Sequence, residues 1–280
     1  MTIAVLSGKG GTGKTVIAVN LASVSTHAVY IDCDVEEPNG HLFFRPIPKS
    51  SVEVALKIPV VDNLRCTGCR KCVDFCRFNA LAFIQNRLLV FSDLCHACGG
   101  CVVLCPEKAL SEREMPIGNI SYGISENVEV ITGNLQPGKV SGVPIIRQMV
   151  ENFYTNKEIP IYIDCPPGSS CSVMESIKPA DYCLIIAESS VFGCHDLKMV
   201  HELVVELHKP FGIVLNKCFN EENPSEQYCL ENGLPILAKI PFDRELNKWN
   251  ANGLIAVKQS PDYHQLFQDL VTKIQAEATK

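Results

Sequence analysis

SGKGGTGKT, residues 7–15, contains the pattern GxxxxGK[ST] as Gly8, four residues, then Gly13, Lys14 and Thr15. The apolar run Ile3 to Leu6 precedes it and the apolar-periodic VIAVNLA follows, so strand, glycine loop and helix come in the order such a loop requires. Glycines let backbone N–H groups turn inward around phosphate oxygens, and the helix that starts near Lys14 aims its positive end at them. Lys14 supplies a cation and Thr15 a hydroxyl able to ligate Mg²⁺. The stretch reads as a nucleotide-phosphate site made of Gly8, Lys9, Gly10, Gly11, Thr12, Gly13, Lys14 and Thr15.

With Lys9 directly after Gly8, the loop resembles the deviant Walker A, xKGGxGK[ST], of the MinD/ParA ATPases. That group also includes the Mrp-type iron–sulfur carriers and, more distantly, the nitrogenase iron protein. The resemblance implies ATP or ADP with Mg²⁺ as ligands and an ATPase in which Lys9 and Lys14 act on the phosphates. It also implies an ATP-sandwich homodimer, with Lys9 reaching across the interface to the partner's nucleotide.

A chain of 280 residues can hold one large core plus a small module, and 46% apolar with 20% charged residues is ordinary for a globular protein. A net charge of −6 argues against a nucleic-acid backbone as the main partner, because neutralising phosphates needs a cationic face. The N-terminus lacks a basic segment leading into an apolar core, and no run of about 18 apolar residues occurs. Neither signal peptide nor membrane span is expected, and the default compartment is the cytoplasm. The 15 cysteines lack the setting of a short secreted disulfide scaffold, and eight of them fall in one segment at metal-cluster spacing.

AVYIDCDVEEPN reads as a second buried strand ending in Asp32 and Asp34. Residues two apart on a strand share a face, so both carboxylates can point beyond the strand's C-terminal end, where open α/β sheets bind ligands. Either aspartate can instead cap the turn that follows. The segment resembles the MinD-type switch I, which implies Asp34 as the carboxylate positioning the attacking water and Asp32 in the Mg²⁺ or dimer network. Cys33 faces the other way, into the core.

From about Asp62 to Arg113 the composition changes. CTGCRKCVDFC supplies Cys66, Cys69, Cys72 and Cys76, and CHACGGCVVLCP supplies Cys95, Cys98, Cys101 and Cys105. Each is CxxCxxCxxxC, and they align at an offset of 29 residues that also matches Val73 with Val102 and Ala80, Leu81 with Ala109, Leu110. The segment is an internal duplication. Three thiolates of one run grip three corners of a cubane while the fourth cysteine serves the other cluster. One [4Fe–4S] cluster is therefore assigned to Cys66, Cys69, Cys72 and Cys105, and the other to Cys95, Cys98, Cys101 and Cys76. The segment resembles the bacterial two-cluster ferredoxin, with Arg77 where that pattern has proline. Tetrahedral zinc fits less well, since it takes four ligands, usually as two separated CxxC pairs. Seven basic residues against five acidic ones suit either docking of an acidic redox partner or a solvated face offsetting cluster charge.

Beyond the insert, IGNISYGISENVEVITGNLQPGK reads as strand segments closed by glycine turns, GVPIIRQMVENFY has helical periodicity, and IPIYIDCPPG is an apolar strand ending in Asp164. The last resembles a Walker B with a Pro-Pro-Gly switch II, implying that Asp164 holds Mg²⁺ through water and that Gly168 approaches the γ-phosphate. Cys171 lies seven residues after Asp164, where the nitrogenase iron protein has a cluster-bridging cysteine. Residues 134–142 offer no second such ligand, which leaves a buried or free thiol as the alternative. Asn216 and Pro241, near strand ends, resemble the adenine-side positions of the MinD group, though strand-end polarity alone would also place them there. Cys183, Cys194, Cys218 and Cys229 form no CxxC pair of the kind Mrp-type scaffolds use. The final helix, around Leu266, Phe267, Leu270, Val271 and Ile274, reads as core-packing.

The expected fold class is α/β: a mostly parallel P-loop NTPase sheet with helices on both faces, formed by residues 1–61 and 114–280, plus an inserted small α+β ferredoxin-like domain at 62–113. The expected function is an ATP-driven homodimer coupled to electron transfer with a redox or metallocofactor-assembly partner. The alternatives are a cluster scaffold that delivers to apo-proteins and a redox-sensing positioning ATPase.

Overall fold

The computed structural model describes residues 1–153, 159–219 and 223–278; Tyr154, the last residue of the helical stretch read above, lies outside them. Its strands are β1 (Thr2–Leu6), β2 (Ala28–Asp32), β3 (Ile47–Val61), β4 (Leu81–Ile84), β5 (Arg87–Val90), β6 (Leu110–Ser125), β7 (Val128–Leu135), β8 (Ile161–Asp164), β9 (Tyr182–Glu188), β10 (Phe211–Cys218) and β11 (Ile236–Pro241). Its helices are α1 (Lys14–Val24), α2 (Gly40–Phe44), α3 (Lys71–Phe75), α4 (Gly100–Val103), α5 (Val143–Phe153), α6 (Cys171–Ile177), α7 (Val191–Glu206), α8 (Pro224–Glu231), α9 (Arg244–Ala251), α10 (Ala256–Gln259) and α11 (Pro261–Ala278). Nine strands form one sheet in the order β11-β10-β9-β1-β8-β2-β7-β6-β3.

The sheet is parallel from β11 to β7. Its central strands are apolar runs buried on both faces, as crossover helices on each side demand. On one face α5, α6 and α7 pack through Ile145, Met149, Val173, Ile177, Val200 and Val204. On the other, α1 and α11 pack through Ile17, Leu21, Phe267, Leu270 and Ile274. The last helix is thus a core helix, and among the described residues no helix is long and apolar enough to cross a membrane. Cys33, Cys183 and Cys229 are buried, whereas Cys194 and Cys218 are half-buried.

The far edge departs from parallel order. β6 runs antiparallel to β7, and β3 antiparallel to β6, making a long ribbon whose free end opens at Val61 and Leu110. Residues 62–109 sit on that end. The ribbon is continuous across position 113, where the sequence had suggested a border. β3 escaped the sequence reading because its first half, Ile47 to Glu53, is wholly exposed and shows no inside-outside alternation.

The module carries its duplication into the backbone. Gly68 and Ala97 (φ 71 and 53), Arg70 and Gly99 (φ 61 and 70), and Asn79 and Lys108 (φ 53 and 49) are equivalent pairs, all left-handed. The Asp62 amide donates to the Ala109 carbonyl at 2.8 Å and the equivalent Phe91 amide to Ala80 at 2.8 Å, so the two halves are tied crosswise. Between them β4 and β5 form a hairpin through Gln85 and Asn86, both at positive φ, the turn that matches strand twist. A small core of Cys72, Leu81, Leu88, Cys101 and Leu110 closes it.

Candidate functional site

The glycine loop runs from the end of β1 to the start of α1 at the C-terminal edge of the sheet. Gly13 caps α1 at φ 90, ψ 15, and a side chain there would run into the Asn216 amide. Gly8 lies so close to α7 that a β-carbon would come within 2.5 Å of the Asp196 carbonyl oxygen. Among the described residues, no acceptor is paired with the backbone N–H groups of Gly10 through Thr15, and Thr12 Oγ1 is buried without a hydrogen-bond partner. Donors left inward at a helix N-terminus, with an orphaned hydroxyl beside them, fit phosphate oxygens.

Beneath the loop lies a buried ionic cluster. Lys14 Nζ is 2.6 Å from Asp164 Oδ1 at the end of β8, with both side chains nearly inaccessible. The Tyr30 hydroxyl, from β2, donates to Asp164 Oδ2 at 2.9 Å. Burial is the largest single influence and would lower the Lys14 ammonium's pKa, but the carboxylates of Asp164, Asp32 and Asp34 together outweigh it and the net direction is upward. Tyr30 was not identified from sequence; its position two residues before Asp32, on the same face of β2, was the available signal.

Asp32 and Asp34 take different parts. The Asp32 carboxylate is buried and accepts the backbone N–H groups of Asp34 at 3.2 Å, Asn39 at 3.1 Å and Gly40 at 2.9 Å, capping the loop after β2. Burial, then the charge of Asp164, pushes its pKa upward. Asp34 lies just past the strand end, half-buried, and its carboxyl is also shifted upward by burial, with Lys14 opposing. The turn-capping alternative therefore describes Asp32's contacts, while Asp34's carboxylate stays nearer the opening. Gly168, at φ 92, donates to the Ser7 carbonyl at 2.9 Å, tying the Pro-Pro-Gly segment to the glycine loop.

The remaining predicted residues surround this centre. Lys9 Nζ pairs with Glu188 Oε2 at 3.0 Å, and the Asn216 amide donates to the Thr12 carbonyl at 2.7 Å, bracing the loop. Pro241 ends β11, exposed, beside Cys218 of β10. Phe219 and Phe242, just beyond, stack at 5.1 Å. Cys171 is exposed at the start of α6. Glu188 and the aromatic pair were missed by sequence reasoning, since a lone acid or two phenylalanines far apart in the chain carry no motif.

In the module, Cys76, Cys95, Cys98 and Cys101 line one cavity of about 380 Å³. Cys66 and Cys105 lie near enough to Cys72 to act electrostatically on its thiol, which burial already pushes up. Backbone amides of Ala97 and Ala109 donate to Cys95 Sγ at 3.4 Å and Cys105 Sγ at 3.2 Å. Cys69 and Cys98, the second cysteines of the two runs, are exposed. Among the described residues no three His, Cys, Asp or Glu side chains gather as they would around one metal ion.

Strand, glycine loop, helix and the buried Lys14–Asp164 pair define a nucleotide-binding α/β domain of the P-loop class. The chain belongs to the CobQ/CobB/MinD/ParA nucleotide binding domain family, which it matches over residues 3–257. It is 28% identical over 281 residues to the uncharacterized protein MJ0578 of Methanocaldococcus jannaschii, covering 98% of this chain and 96% of that one. The septum site-determining protein MinD of Pyrococcus horikoshii, solved with Mg-ADP, shares the fold at a TM-score of 0.60 and 20% identity, over 98% of this chain and 96% of that one. A 56-residue stretch, 20% of the chain, is 34% identical to one component of an ion-translocating oxidoreductase complex from Methanosarcina acetivorans, covering 21% of that protein.

Proposed function

We propose that the chain is a cytoplasmic ATP-hydrolysing switch that dimerises around nucleotide and governs electron transfer by an inserted ferredoxin module, serving a protein partner in metallocofactor or iron–sulfur cluster assembly. The observation that carries this reading is the crosswise grouping of cysteines. Cys76 of the first run shares a cavity with Cys95, Cys98 and Cys101 of the second, and Cys105 of the second lies by Cys66 and Cys72 of the first. Eight cysteines in two duplicated runs suit two multi-iron bodies rather than a single ion, and amide donors on sulfur suit thiolates. Cys66, Cys69, Cys72 and Cys105 would hold one [4Fe–4S] cluster, and Cys95, Cys98, Cys101 and Cys76 the other. When bound, they supply one-electron chemistry. The short similarity to an oxidoreductase component supports the same reading.

On the nucleotide side, the N–H groups of Gly10 to Thr15 would receive phosphate oxygens, and Lys14 would trade Asp164 for them. Asp164, freed, and the Thr15 hydroxyl would hold Mg²⁺ and its waters, with Asp32 fixing the loop nearby; Asp34 would orient the attacking water. Lys9 would cross to the partner subunit's phosphates, and Asn216 and the Pro241 region would flank the base.

A continuous path joins the two functions. Val35, next to Asp34, accepts the Leu135 amide at 2.8 Å, and a β-carbon at Gly142 would strike its side chain. The loop between Leu135 and Gly142 carries Lys139, whose ammonium lies 3.7 Å from Asp93 of the module, two residues before Cys95. A shift at Asp34 on nucleotide binding therefore has a packed route to the second cluster.

The test is anaerobic reduction of the cluster-loaded chain with ATP, ADP or no nucleotide, followed by EPR and by the dimer fraction. A nucleotide-dependent potential or reoxidation rate is the expected result. Dimerisation that responds while both stay constant would reassign the module to docking or delivery, and absence of paired cluster signals would remove the ferredoxin reading.

A further inference from the structure

Glu188, at the end of β9, is the hub of a contact set that none of the roles above uses. Its Oε2 meets Lys9 Nζ at 3.0 Å, and its Oε1 meets Lys217 Nζ at 2.7 Å. Lys217 also donates to the Gly11 carbonyl at 2.5 Å. Glu188 itself is fixed: Ser225 Oγ donates to its carbonyl at 2.6 Å, and Ser189 Oγ donates to the Lys217 carbonyl at 2.9 Å. Lys217 is held at φ 54, a left-handed conformation uncommon for a lysine. Burial would raise the Glu188 carboxyl, but the two lysines together hold it below the ordinary value.

One carboxylate needs one cation, and here it has two. Lys217 is anchored twice, to Glu188 and to Gly11. Lys9 is more than a third exposed and, among the described residues, has Glu188 as the one partner of its ammonium. Lys9 is therefore the cation that can leave without stranding a buried charge.

We propose that Glu188 is a positioning residue with two tasks: through Lys217 it braces the phosphate loop at Gly11, and by holding Lys9 within its own chain it restrains subunit joining until a second copy's nucleotide offers stronger negative charge. The inference rests on the dimer reading above and adds a brake to it. Every dimer would release two such lysines, so the effect on association is the square of the effect on one pair. A partly exposed ion pair restrains its lysine about fivefold, giving about 25-fold in the dimerisation constant.

The experiment compares the full-length, cluster-loaded chain with Glu188→Gln. The first readout is the rate at which the Lys9 amine is acetylated in the nucleotide-free chain, followed by peptide mass spectrometry. The second is the dimerisation constant with a non-hydrolysable ATP analogue. Glu188→Gln is expected to speed acetylation about two- to fivefold and to strengthen dimerisation by up to about 25-fold. Lys217→Ala, which loses the Gly11 brace but leaves Lys9 on Glu188, is expected to leave Lys9 acetylation unchanged. Should Glu188→Gln fail to fold, Lys9 acetylation in the unaltered chain is expected to accelerate as salt screens the pair, and a salt-independent rate overturns the proposal. A wild-type chain that stays monomeric with the analogue removes the dimer reading itself. A wild type that dimerises, with Glu188→Gln unchanged in either readout, overturns the brake alone.

Discussion

Replacing Lys14 by methionine is ordinarily taken as a way to abolish nucleotide binding, but here it should also weaken the nucleotide-free fold, by an amount that depends on pH. Lys14 Nζ sits 2.6 Å from Asp164 Oδ1, and Asp164 is wholly buried. Removing the cation leaves a carboxylate with the Tyr30 hydroxyl as a donor and with Asp32 close by. An unpaired buried charge of this kind costs about 3–5 kcal/mol. Uptake of a proton caps that cost. Protonating an aspartate of ordinary acidity takes about 4 kcal/mol at pH 7 and about 1.5 kcal/mol at pH 5. The variant's folded state would then bind a proton that its unfolded state does not, so its stability rises as pH falls. Urea unfolding of the loaded chain without nucleotide, followed by circular dichroism, is expected to show a deficit of about 4 kcal/mol at pH 7 and about 1.5 kcal/mol at pH 5. Adding Asp164→Asn, which removes the stranded charge while keeping an acceptor for Tyr30, is expected to recover at least about 2 kcal/mol at pH 7 and to flatten the pH dependence. A Lys14→Met chain as stable as wild type at pH 7, or a double variant weaker than the single one, would refute the buried pair as described.

Two further outcomes concern the module. Cys76→Ser is expected to remove the EPR signal of the cluster otherwise held by Cys95, Cys98 and Cys101, and Cys105→Ser that of the other; each variant losing the cluster of its own run would reverse the crosswise assignment. Lys139→Ala, which deletes the contact to Asp93, is expected to leave ATP hydrolysis within about twofold, as for an exposed pair, while the nucleotide-dependent change in cluster potential is lost; an unchanged nucleotide effect would place the coupling elsewhere.

How much of this could be read from the chain follows from how each feature is encoded. The glycine loop, the strand ending in Asp164 and the cysteine runs are local: each is a pattern of particular residue types at fixed spacing, and the structure brings Lys14 of the loop onto Asp164. The 29-residue duplication was readable for the same reason, and the backbone repeats it in equivalent left-handed positions that the sequence alone did not show. Tyr30, Glu188 and the Phe219–Phe242 stack are not local. Each depends on the register of neighbouring strands, as where Glu188 of β9 lies beside Asn216 of β10 and so reaches Lys217. Asp32 shows the intermediate case, since its strand-end position was clear while its three amide partners depended on how the chain turned afterwards. β3, the edge strand of the antiparallel ribbon, is the most consequential omission. β3 carries an exposed first half with Pro48 and Lys49, the residues that keep an edge strand from pairing further, and they erase the alternation by which a strand is recognised. Yet the ribbon shows how residues 62–109 are accommodated without disturbing the sheet: its two strands extend the edge, both ends of the segment leave from one tip at Val61 and Leu110, and Lys139, in the loop after β7, reaches Asp93 of that segment.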